Sequence, residues 1–175
     1  MIGTHGDDAQ TLVKSLTAAA SKQRATGFAF VAAVSPDGGA AGGLSDLRTC
    51  LSYNIQKSEA EYAVILLGVA DSLSENRTSE YVRVVMDRAI GMGCVPVLGL
   101  PVTSLLPKDK KDKVDGVNNT LTNLCGQMGV PAMDLGFAVK GEKGAFDGDE
   151  LNTQGVEAAA GLAMTVLKHL DQLHK

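Results

Sequence analysis

The sequence predicts an α/β domain in which helices cover both faces of a parallel sheet. Three observations carry that expectation. Four short apolar runs, Gly27 to Val34, Tyr62 to Val69, Cys94 to Leu100 and Val130 to Leu135, lack the polar–apolar alternation of half-exposed strands and suit strands buried on both faces. Between them lie segments whose apolar residues recur at three and four positions, the spacing of one helix face. Gly91-Met92-Gly93 and Gly126-Gln127-Met128-Gly129 supply helix stops just before strands. Alternation of this kind implies right-handed crossovers and an α/β sandwich.

Taken in order, the first helix is marked by Leu12, Val13, Leu16 and Ala20. A second carries Val82, Val85, Met86, Ala89 and Ile90, and a third Val114, Val117, Leu121, Leu124 and Met128. The last carries Val156, Ala159, Ala160, Ala163, Val166, Leu167 and Leu170. Pro36 to Gly43 reads as a Gly-rich loop, and no internal repeat or low-complexity linker divides the chain. The 175 residues are expected to form one domain, 1–175, long enough to bury its own core.

Composition narrows the function classes. A net charge of −4 points away from a nucleic-acid backbone or an anionic membrane as partner. The run Lys108-Asp109-Lys110-Lys111-Asp112-Lys113 alternates in sign, as a solvated face does. Cys50, Cys94 and Cys125 are odd in number, widely spaced and set in apolar patterns, which fits buried free thiols. No apolar run approaches membrane-spanning length and no signal peptide is read, so compartment stays open.

In parallel sheets of this class, sites form outside the carboxyl ends of the strands. The loops expected there are Thr4 to Asp8, Ser35 to Gly43, Ala70 to Ser74, Pro101 to Ser104 and Gly136 to Glu150. The most specific motif lies at the end of the last. Ala145-Phe146-Asp147-Gly148-Asp149-Glu150-Leu151-Asn152-Thr153-Gln154-Gly155 reads Asp-Gly-x-Glu-Leu-Asn-x-x-Gly and opens the final helix. This resembles the last block of the SGNH (GDSL-type) esterases and lipases, whose fourth position is the catalytic His. Ile2-Gly3-Thr4-His5 sits where that family's first block would fall, Gly39 or Gly42 fills the second, and Gly68-Val69-Ala70-Asp71 the third.

The resemblance spans nearly the whole chain and implies a three-layer α/β/α sandwich with a five-stranded parallel sheet, of the SGNH (flavodoxin-like) type. Its first strand would end at Gly3. Only Met1 and Ile2 precede that residue, so this strand is expected to be very short or trimmed from a longer chain.

The family mechanism needs a Ser oxygen, an imidazole to accept its proton, a carboxylate to orient the imidazole, and an oxyanion hole. In the corresponding positions this chain has His5 for the Ser, Ala70 for the oxyanion Asn and Glu150 for the His, while Asp147 and a Gly remain. The resemblance therefore implies a degenerate hydrolase, a pseudoenzyme, binding a small polar or acylated ligand through His5, Gly39, Gly42, Ala70, Asp71 and Glu150. His5, Asp147 and Glu150 are the candidate catalytic residues, and no cofactor or resident metal is expected.

Other readings of the same residues stay open. His5 with Ser35 would give a rearranged ester hydrolase, and so would a metal held by the loop acids Asp7, Asp8, Asp37, Asp71, Asp147, Asp149 and Glu150. Asp37 to Gly43 could cradle a phosphate, but it lacks the Lys-Ser/Thr of a P-loop and the spacing of a dinucleotide fingerprint. His169 and His174 close the last helix, where cations complement its dipole. A purely structural or interaction domain is the third class.

Overall fold

A computed structural model describes residues 2–3, 6–23, 33–34, 55–57, 59–66, 78–104, 106–140, 144–147 and 150–173. The strands are β1 (Ile2–Gly3), β2 (Ala33–Val34), β3 (Tyr62–Leu66), β4 (Val95–Leu100), β5 (Ala132–Asp134), β6 (Phe146–Asp147) and β7 (Glu150–Leu151). The helices are α1 (Gly6–Lys22), α2 (Thr78–Gly91), α3 (Lys108–Met128), α4 (Leu135–Ala138) and α5 (Thr153–Leu173). The broad α/β class stands.

The expected sandwich with five parallel strands needs correction. The substance of the sheet is a three-stranded parallel ladder, β3-β4-β5, and the described chain is mostly helical. β3 and β4 pair from Tyr62↔Val95 to Leu66↔Gly99, and β4 pairs β5 from Leu98↔Ala132 to Leu100↔Asp134. The parallel order extends as β2-β1-β3-β4-β5, but β1 and β2 add only Ile2↔Ala33, Gly3↔Val34 and Ile2↔Ile65. Among the described residues, Ile2 and Gly3 alone are extended ahead of α1, which begins at Gly6, and two residues offer either neighbour no more than two rungs.

Boundaries shift as well. The fourth apolar run was expected to be strand to Leu135, yet Leu135 opens α4. The Asp134 side chain accepts the Phe137 N–H at 3.3 Å, and that N-cap turns the chain out of the sheet. Residues 27–32 and 67–69 of the other two runs lie outside the described residues.

Successive strand residues point to opposite faces, and both faces are filled. On one, Ala63, Ile65, Leu98 and Leu100 pack with Val82, Val85, Met86 and Ala89 of α2 and Leu121, Leu124 and Cys125 of α3. On the other, Val64, Val97 and Met133 pack with Leu16 and Ala20 of α1 and with Ala159, Ala160, Ala163, Met164 and Leu167 of α5. Most expected helical core positions are buried, but Ile90 is largely exposed at the end of α2. α3 stops at Gly129, whose φ of 67° is the left-handed conformation that glycine adopts without a Cβ penalty; its N–H returns to Cys125 O.

Candidate functional site

Because the strands of the main sheet are parallel, their carboxyl ends (Gly3, Val34, Leu66, Leu100 and Asp134) lie on one edge. Gln23, just past α1, donates from Nε2 to Gly161 O at 3.3 Å and accepts from Lys168 Nζ at 3.5 Å. The end of α1 thus lies beside α5 between Gly161 and Lys168.

Between β4 and α3 the edge is cross-tied. Asn118 Nδ2 donates to Pro101 O at 2.9 Å, and Asp115 accepts from Lys111 and from the Thr103 hydroxyl. The Lys111 bond first, and the Thr103 bond after it, hold the Asp115 carboxyl below the usual carboxylate range. Asn118 Oδ1 is buried with no hydrogen-bond partner among the described residues. Next to it, α4 seats Gly136 over Val102, while Phe137 is 70% exposed. Gly99 leaves room for the Leu66 and Leu135 side chains, which close this part of the edge with apolar atoms.

The segment ahead of α5 is an antiparallel hairpin, β6-β7, registered Phe146↔Leu151 and Asp147↔Glu150. Asn152 fastens it. Its N–H donates to Ala145 O at 3.0 Å and its Nδ2 to Gly144 O, so both groups hold the entry of the hairpin. Its Oδ1 accepts the N–H groups of Gln154 at 3.0 Å and Gly155 at 3.2 Å, capping α5. Gly155 is buried against the hairpin, and a Cβ there would fall inside the Ala145 carbonyl oxygen and the Leu151 side chain. Only glycine lets helix and hairpin approach this closely.

Of the residues singled out from the sequence, Asp147 and Glu150 are brought together as cross-strand partners, and the structure describes their backbone alone. Asp7 and Asp8 lie in the first turn of α1, again as backbone. His5, Ser35, Asp37, Gly39, Gly42, Ala70, Asp71, Asp149, Cys50 and His174 lie outside the described residues. Among the described residues, no group of three His, Cys, Asp or Glu side chains converges to hold a metal. His169 is exposed in the last turns of α5, and the Lys108–Lys113 run is mostly exposed at the start of α3. Cys94 and Cys125 are buried free thiols, and burial pushes the Cys94 thiol up to about 11. Among the described residues, no helix is long and apolar enough to cross a membrane.

The structural roles of Asn152 and Gly155 escape a reading centred on reactive side chains, although both residues stand in the motif itself. The available signal was an Asn followed by the spacing of the α5 apolar face, a helix-start pattern. Compared with known protein families the chain matches none, and no curated protein matches it in sequence.

Proposed function

We propose that this chain is a catalytically degenerate relative of the SGNH hydrolases that binds a small polar or acylated ligand at the carboxyl edge of its sheet. The observation that carries the reading is the register Asp147↔Glu150 in a hairpin fastened to the start of α5. It gives Asp147, which the motif retains, and Glu150, which replaces the His, a common, anchored backbone. His5, Ala70 and Glu150 stand where an esterase of that family has its nucleophile, oxyanion amide and base. Without the Ser oxygen and the imidazole that activates it, no acyl-enzyme can form by the family route. Removal of one oxyanion donor alone costs roughly 10²–10³ in rate. What remains is recognition: acids and backbone groups at a strand edge, suited to a hydroxyl, an amide or a cation.

Hydrolysis of p-nitrophenyl acetate and butyrate tests the chemistry. The expected result is no turnover above buffer. Saturable turnover that a serine-directed phosphonate abolishes would overturn it. Thermal melts against a panel of short-chain esters, their acids and their amides test binding, because a ligand that binds only the folded state raises Tm by mass action. A saturable rise with at least one class is expected; a flat response across the panel would remove the binding reading.

A further inference from the structure

We draw no further inference here: the strongest candidate, the apolar flank of α5 on which partly buried Leu162, Val166 and Leu170 run on to exposed Leu173, carries nothing because nothing in the structure shows what covers it.

Discussion

The two faces of the sheet are filled in different ways. The face under α2 and α3 uses large side chains: Val82, Val85, Met86, Leu121 and Leu124. On the opposite face α5 contributes Ala159, Ala160 and Ala163, set against Leu16 and Ala20 of α1, with Met164 and Leu167 as its bulky members. Large side chains tie each helix to the sheet below it. Small ones let two helices approach each other toward the short end of the usual interaxial range. The pair α1–α5 is further joined through Gln23 and Lys168. The difference teaches that α1 and α5 are held to one another by direct helix–helix contact and not only through the sheet.

Opposite substitutions should therefore injure the two faces. Met86→Ala leaves a cavity on the large-residue face and is expected to lower stability by about 2–5 kcal/mol. Ala160→Leu overfills the small-residue face and is expected to cost about 1–3 kcal/mol. Urea denaturation measures both. If Ala160→Leu proves neutral, the close α1–α5 packing is wrong.

The next effect sharpens the same contrast at the helix start. In an exposed helix interior, Gly to Ala stabilises by about 1 kcal/mol. Gly155→Ala is expected to do the reverse, lowering stability by about 1–3 kcal/mol, because the Ala145 carbonyl occupies the place of the methyl group. Gly116 and Gly126 in α3 have open space at that position, so alanine at either should stabilise. A thermal melt of the three variants distinguishes the cases.

A further effect belongs to the large-residue face and depends on pH. Burial raises the Cys94 thiol from 9.0 to about 11, so the folded state retains a proton that the unfolded chain loses first. That contribution is complete below pH 9.0 and is lost as pH rises toward about 11. Between those values wild type should lose stability more steeply than Cys94→Ala, as followed by denaturant midpoints. Parallel pH profiles would remove the burial argument.

These contrasts indicate which features a sequence can announce. The helices were legible because a buried face repeats every three or four residues, and Val82, Val85, Met86 and Ala89 keep that period without a break. The apolar core of β3 and β4 was legible from runs with no polar residue. The extent of the sheet was not, because apolarity marks burial and not pairing: Leu135 is as buried in α4 as it would have been in β5. The hairpin was hidden by a stronger-looking pattern. Gly148-Asp149, the two residues between the paired Asp147 and Glu150, is a Gly-Asp turn signal in the sequence, yet the motif around it resembles a catalytic block and invites a chemical reading. Within that block Asn152 and Gly155 have sufficient physical reasons in capping and close approach. Of the candidate site, only the backbone pairing Asp147↔Glu150 falls among the described residues, and no periodicity or reactive-residue motif announces it.

The outer strand of the β4 side has a further consequence, for behaviour in concentrated solution. β5 is three residues long, its ends Ala132 and Asp134 face outward, and it passes at once into α4. A neighbouring chain seeking to add a strand would find a template of three residues bearing a carboxylate, which is too short and too polar for open-ended stacking. The same Asp134 that turns the chain into a helix thus guards the sheet against aggregation.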